Sequence, residues 1–294
     1  MATDYATLKA NGYMRQIQPD HFSMRLRVVG GHVDSTQLQR ISEVAQKYGR
    51  GYVHLTSRQG IEIPFIRLED IDAVQKELAE ANVFLGAAGP RVRSITACQG
   101  GRCCPSGAID AYDLACKLDA RYFGRALPHK FKIGVTGCPN NCLKAEENDL
   151  GAKGAVETSW NADSCAFCSA CQKCCKRKAI EVNRQDKTLT VDREKCNHCG
   201  RCASVCPKGA MVGKKGTLLS FGGTFGNNVV QGRAILPIIF DENVLFSVCD
   251  ATVDYFEQNA NRGERFAGTL QRLGWEPFVQ VVQGAYDRSV NQTN

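Results

Sequence analysis

No run of about 18 or more apolar residues occurs in the chain, so no membrane-spanning helix is expected. The first residues, MATDYATLKANGYMRQ, carry no basic stretch followed by an apolar one. No signal peptide is therefore expected, and the expected location is the cytoplasm. A GxGxxG loop opening a helix after a strand is also missing, which excludes a nucleotide-binding domain of that kind. There is no basic tail and no recognisable reading helix, so nucleic acid is not an expected partner. Tryptophan occurs only as Trp160 and Trp275, both read as packing residues.

Cysteine is abundant instead, with sixteen in 294 residues. A chain of this length, 43% hydrophobic, can bury the cores of about two domains without disulfides. In a reducing compartment, cysteines at short regular spacings read as metal ligands. Cys165, Cys168, Cys171 and Cys175 follow C-x2-C-x2-C-x3-C, and Cys196, Cys199, Cys202 and Cys206 repeat it with Pro207 behind the last. That is the two-cluster bacterial ferredoxin signature, in which the fourth cysteine of each run serves the other cluster. One cluster would take Cys165, Cys168, Cys171 and Cys206, and the second Cys196, Cys199, Cys202 and Cys175. Lys176 replaces the usual proline after Cys175 and leaves the ligand set complete.

A second cysteine set is spread more widely. Cys98 and Cys104, then Cys138 and Cys142, give C-x5-C and C-x3-C, four thiolates from two loops, as a 4Fe-4S cluster needs. Structural zinc, the alternative, usually takes tighter pairs. In HKFKIGVTGCPNNC, a strand over Lys130–Thr136 would put Lys130, Lys132, Gly134 and Thr136 on one face, and Pro139 would open a helix carrying Cys138 and Cys142. Cations and thiolates would then share one cavity. Cys103, Cys116, Cys174 and Cys249 remain as buried structural thiols by default. The formal charge of +7 treats every cysteine as neutral. Three clusters of roughly −2 each would cancel most of it.

Hydrophobic periodicity adds a strand over Phe22–Val29, a helix capped by Asp34 or Ser35 and ending at Gly49, strands GYVHLTS and GIEIPFI, and a helix bearing Ile71, Val74 and Leu78. The expected order is that of a ferredoxin-like α+β half-domain. RVRSITAC reads as a further strand, Ser106–Leu118 as a helix, AILPIIF as a buried strand-like run, and Asn243–Gln258 and GERFAGTLQRLG as helices. The glycines of LLSFGGTFGN would let backbone approach a ligand.

With these pieces the chain resembles the sulfite and nitrite reductase family. The resemblance rests on TSRQG at Thr56–Gly60, RVRSITAC at Arg91–Cys98, KFK at Lys130–Lys132 and GCPNNC at Gly137–Cys142, in family order, together with the cysteine-rich insert. The insert is most similar to those of the dissimilatory enzymes and of the siroheme subunit of anaerobic sulfite reductase. The resemblance implies an α+β fold: a ferredoxin-like half-domain over 1–88, a siroheme and 4Fe-4S catalytic domain over 89–158 and 216–294, and an inserted 2×4Fe-4S ferredoxin domain over 159–215. It implies six-electron reduction of sulfite to sulfide, with nitrite reduction to ammonia, or a non-catalytic electron-transfer or sulfur-handling subunit, as alternatives. The cofactors would be siroheme and three 4Fe-4S clusters. Cys98, Cys104, Cys138 and Cys142 would hold the coupled cluster, Cys142 sharing its sulfur with the siroheme iron. Arg58, Arg93, Lys130 and Lys132 would surround the substrate anion and face the siroheme, with Gly222 and Gly223 beside it; Thr224 and Asn227 stand where relatives often carry basic residues. An external ferredoxin or reductase subunit would supply electrons, and the chain would form a homodimer or join a larger complex.

Overall fold

The computed structural model describes residues 4–293. Helix α1 (Tyr5–Ala10) and strand β1 (Tyr13–Arg15), neither expected from sequence, precede β2 (His21–Arg25). Strand β2 is shorter than the expected Phe22–Val29, because at Leu26 the chain bridges to Leu85 instead. In α2 (Ser35–Tyr48), Asp34 and Gln37 form a reciprocal capping box, and Ile41, Val44 and Ala45 are buried, as the periodicity predicts. GYVHLTS contributes only β3 (His54–Leu55), while GIEIPFI forms β4 (Ile61–Arg67). Helix α3 (Ile71–Ala79) buries Ile71, Val74 and Leu78. The sheet order β1-β2-β4-β3 presents one face to α2 and α3 around a core that includes Met24, Ile63 and Val74.

The second sheet begins with β5 (Thr96–Ala97), the only ladder-forming part of RVRSITAC. Its upstream residues Arg91 and Val92 make single bridges to Ala126 and Phe131. Helix α4 (Ala111–Tyr122) starts five residues later than expected. Asp110 caps it through the Asp113 amide, and the preceding loop folds on itself, the Gly101 amide donating to Ile109. Strand β6 (Ile133–Thr136) begins after Lys130 and Lys132, not at them. The helix expected after Pro139 is replaced by turns, with Asn141 and Lys144 in left-handed backbone conformations that no helix accepts.

Two eleven-residue strands come next. β7 (Leu150–Trp160) leads out to the cysteine-rich segment, which holds α5 (Ala170–Cys174), β8 (Ile180–Asn183), β9 (Thr188–Val191) and α6 (Arg201–Ser204). β10 (Met211–Phe221) returns in full antiparallel register, Met211 opposite Trp160 and Phe221 opposite Leu150. Residues 161–210 are thus carried at the end of a rigid two-stranded stem. In the sheet β10-β7-β6-β5, β6 runs parallel to both β5 and β7. AILPIIF forms no strand; it bridges β10 at Ile239, and Arg233 just before it bridges Phe221. Helices α7 (Glu242–Asn259), α8 (Phe266–Leu273) and α9 (Glu276–Thr293) close one face, with Phe131, Phe221, Phe256, Phe266 and Phe278 interlocked in the core.

Candidate active site

The tight turn Thr56–Gly60 presents two side chains to the second sheet. Thr56 closes it, its hydroxyl accepting from the Gly60 amide at 3.0 Å. Gln59 then pairs with the backbone of Ala97 like an extra strand residue, accepting from its amide and donating to its carbonyl, both at 2.9 Å. This amide clamp docks the half-domain onto β5 and turns Arg58 inward. The Arg58 guanidinium donates to Asn148 Oδ1 at 3.0 Å and to the Ser94 carbonyl at 3.2 Å. Arg93 donates to the carbonyls of Ala87 and Gly89, each at 3.0 Å, while its Nε is buried without a hydrogen-bond partner.

Lys130 and Lys132 enter the same region from the start of β6, and Arg265 enters from the start of α8. The carboxylate they share is Asp149, which is fully buried. Arg265 Nη2 donates to both Asp149 oxygens at 2.9 and 2.8 Å, and the Lys132 amide donates to Oδ2 at 2.8 Å. Sequence reasoning missed Asp149, Arg265 and Asn148; only the fold brings them to the expected cations. Burial, followed by mutual repulsion, lowers the affinity of these cations for protons. Lys132 is pushed down to about 8 by burial and then by Arg58, Arg265 and Lys130, with Asp149 opposing. Arg58 and Arg93 fall to about 10, burial again leading, and Lys130 and His129 shift down for the same reasons. Asp149 moves up through burial, against the pull of Arg265 and of the Lys132 amide. Arg58, Arg93 and Ser94 line a cavity with Arg25, which is tied to Glu62 at 2.6 Å.

The four dispersed thiols also converge. Cys98 directly follows β5, and its sulfur accepts from the Gly137 amide at 3.0 Å. Cys138 is buried; burial pushes its thiol up, and the neighbouring Cys104, Cys142 and Cys98 add to the shift. Cys104, rather than its neighbour Cys103, interacts with that group. Along the chain Lys130 and Lys132 stand before β6, and Cys138 and Cys142 follow it. Gly222 and Gly223 have an internal reason to be glycine. A Cβ on Gly223 would collide with the Glu146 carbonyl, and one on Gly222 would press Leu270 at 2.8 Å.

In the stem-borne segment, Cys165, Cys168, Cys171 and Cys206 line one apolar cavity with Trp160, Phe167, Leu189 and Met211. Three cysteines of the first run and the last of the second thus meet. Cys202 rises to about 11 through burial, with Cys174 and Cys196 among its neighbours. Backbone amides of Phe167, Ala179, His198 and Met211 point at the sulfurs of Cys165, Cys175, Cys196 and Cys206 at 3.3–3.5 Å. Among the described residues no three His, Cys, Asp or Glu side chains are gathered as a single-ion site. A groove joins Cys138, Pro139 and Asn140 to Cys199, Gly200 and Arg201, so the second run abuts the dispersed set. Cys249 is buried in the core and Cys116 is half-buried.

Two family models match this chain. The nitrite and sulphite reductase 4Fe-4S domain covers residues 88–289, and the nitrite/sulfite reductase ferredoxin-like half domain covers residues 14–81. The chain belongs to the nitrite and sulphite reductase family. Among relatives in this family, it is 29% identical over 281 residues to the coenzyme F420-dependent sulfite reductase of Methanocaldococcus jannaschii, covering 95% of this chain and 45% of that protein. It is 32% identical over 200 residues to a subunit of the anaerobic sulfite reductase of Salmonella typhimurium, covering 61% and 58%. Of those two relatives the chain therefore spans about half the length. The fold is also that of dissimilatory sulfite reductase I, with a TM-score of 0.72 at 18% identity, over 90% of this chain and 69% of that one.

Proposed function

We propose that this chain is the catalytic unit of a siroheme-dependent sulfite reductase. The observation that carries the reading is the excess of half-buried positive charge around a single buried carboxylate, with Arg93 Nε and Arg265 Nε buried and unpartnered. Buried cations in surplus call for anions to complete them. Siroheme carboxylates and a substrate oxyanion are groups of that kind, and the converged thiols of Cys98, Cys104, Cys138 and Cys142 suit an adjoining 4Fe-4S cluster. Bound there, these groups would supply electrons one at a time and an iron to bind the substrate sulfur.

The chain's own residues would bind the anion and move protons. Sulfite, six electrons and eight protons give hydrogen sulfide and three waters. Arg58 and Arg93, held by carbonyls and Asn148, present fixed guanidinium donors to the anion's oxygens. Lys132, pushed down to about 8, is charged at neutral pH yet gives up its proton readily to a departing oxygen, with Lys130 beside it. The Asp149 carboxylate fixes the Lys132 backbone and so aims that lysine.

The stem-borne segment would be an inserted ferredoxin domain holding two more 4Fe-4S clusters on the crossed cysteine sets. Support comes from the cavity shared by Cys165, Cys168, Cys171 and Cys206, and from the contact of the second run with the Cys138 loop. A homodimer or larger complex would complete the assembly. The test is anaerobic purification from a siroheme-making host, followed by absorption spectroscopy, iron analysis and turnover with reduced methyl viologen. A siroheme spectrum, about twelve non-haem irons and faster turnover of sulfite than of nitrite are expected. A protein that takes up no tetrapyrrole would instead be an electron-transfer subunit.

A further inference from the structure

The formal charge is distributed unevenly. Residues 161–215 hold twelve Lys and Arg against five Asp and Glu, which is +7, the whole of the chain's +7; the rest of the chain balances. Two clusters of roughly −2 each would still leave this segment positive. Little of that charge is neutralised internally. Lys195–Asp192 is the one ion pair within the segment among the described residues.

Part of that positive charge lines a groove beside the first cysteine set. An open groove is lined by Lys173, Lys178 and Arg184, with Glu181 as its lone acid. It shares Ser169 and Val182 with the cavity of Cys165, Cys168, Cys171 and Cys206, so these two residues form a common wall. Arg184 is fixed across that wall, donating to the Cys168 carbonyl at 3.1 Å and to the Ser169 hydroxyl at 3.3 Å. Lys173 and Lys178 are exposed and form no ion pair among the described residues. The other cysteine set, through Cys199, faces the Cys138 loop instead. The segment therefore has an inner side against the catalytic body and an outer side at the groove.

Resting on the proposed function, we infer that this groove is the docking surface for an acidic protein electron donor, an iron–sulfur or flavin carrier of negative surface charge. Complementary charge raises the encounter rate and orients the donor with its centre towards the Ser169–Val182 wall. Each encounter oxidises the donor by one electron and reduces the centre held by Cys165, Cys168, Cys171 and Cys206 by one; no bond or proton accompanies it.

The test uses the holoenzyme and an acidic two-cluster bacterial ferredoxin as probe, with Kd measured by calorimetry at about 50 and about 300 mM salt, on either side of strong screening. K173E/K178E is expected to weaken binding at low salt by about tenfold or more and to flatten the salt dependence, while K76E, an exposed reversal on α3, leaves both unchanged. In the unmodified holoenzyme, acetylation of Lys173 and Lys178 is expected to be blocked by bound ferredoxin, a readout that stands even where the double variant loses iron. Unchanged Kd and salt slope, equal weakening by K76E, or unprotected lysines would overturn the inference. So would an oligonucleotide that displaces ferredoxin at equal charge, since the groove would then be a general polyanion surface. Sulfite turnover with methyl viologen is run alongside: its failure removes the proposed function, whereas turnover with no groove effect removes only the docking site.

Discussion

The main body and the stem-borne segment are held together by different means. The body buries a continuous apolar core from Val92 to Val282, with five interlocked phenylalanines. The segment's apolar cluster is small, centred on Ile180, Leu189 and Met211, with Cys171, Cys175, Cys202 and Cys206 packed against it. A body of this kind folds on hydrophobic burial, whereas so small a core would need a staple, which the proposed clusters would supply. The largest expected effect follows from that difference. Metal binding in small domains supplies about 10 kcal/mol or more of folding free energy. Iron-depleted protein should be cut rapidly by protease between 161 and 210 while the body persists as resistant fragments, as mass spectrometry would show. Equal resistance of the segment with and without iron would break the comparison.

Within the body, the next largest effect falls on chemistry rather than folding. Replacing Lys132 with Ala should lower kcat for sulfite by about 10³ if it is a proton donor. Iron content and the reduction of the segment by methyl viologen should not change. A variant that turns over normally would remove Lys132 from the mechanism and leave the cavity as an anion cradle alone.

The same difference explains what the sequence revealed. Each ligand run of the segment lies within eleven residues, so its spacing is a local pattern and can be read directly. The cation group draws on Arg58, Arg93, Lys130, Lys132, Asp149 and Arg265, over two hundred residues of chain, and no spacing rule connects them. Arg58 and Arg93 were visible only through motif resemblance, Lys130 and Lys132 also through the period of an expected strand. Asp149 comes after a turn that took the place of an expected helix, and Arg265 sits at the start of a helix whose periodicity says nothing about its first residue. Helices α2, α3 and α7 were legible because their apolar faces repeat. The strands β7 and β10 were not, since buried glycines and alanines blur any alternation in them.

Asp149 separates packing from chemistry more finely. Asp149→Asn keeps the shape and removes the charge, leaving Arg265 buried with a weaker partner. A broken buried pair costs about 3 kcal/mol, and the melting temperature of the body should fall by about 10 °C. If the segment's fold rests on the proposed clusters, its absorbance should survive to the wild-type temperature. Simultaneous loss of both signals at a lowered temperature would mean that body and segment melt as one unit.

The smallest effect distinguishes proton delivery from electron delivery. A lysine donates only while protonated, and its folded-state value is lowered to about 8, so the competent fraction is nearly complete at pH 7 and falls as pH rises through that value. The limb of kcat/KM should lie at or above pH 8, because bound carboxylates add negative charge that holds the proton more tightly. A one-unit excess of pH over the operative value lowers the rate about tenfold. Electron arrival at the segment involves no proton, and reduction by methyl viologen should stay flat over the same range. If both processes decline together, the limb belongs to electron transfer or to loss of structure. If only turnover declines, and Lys132→Arg moves the limb upward, the proton originates at Lys132 in the half-buried cation group.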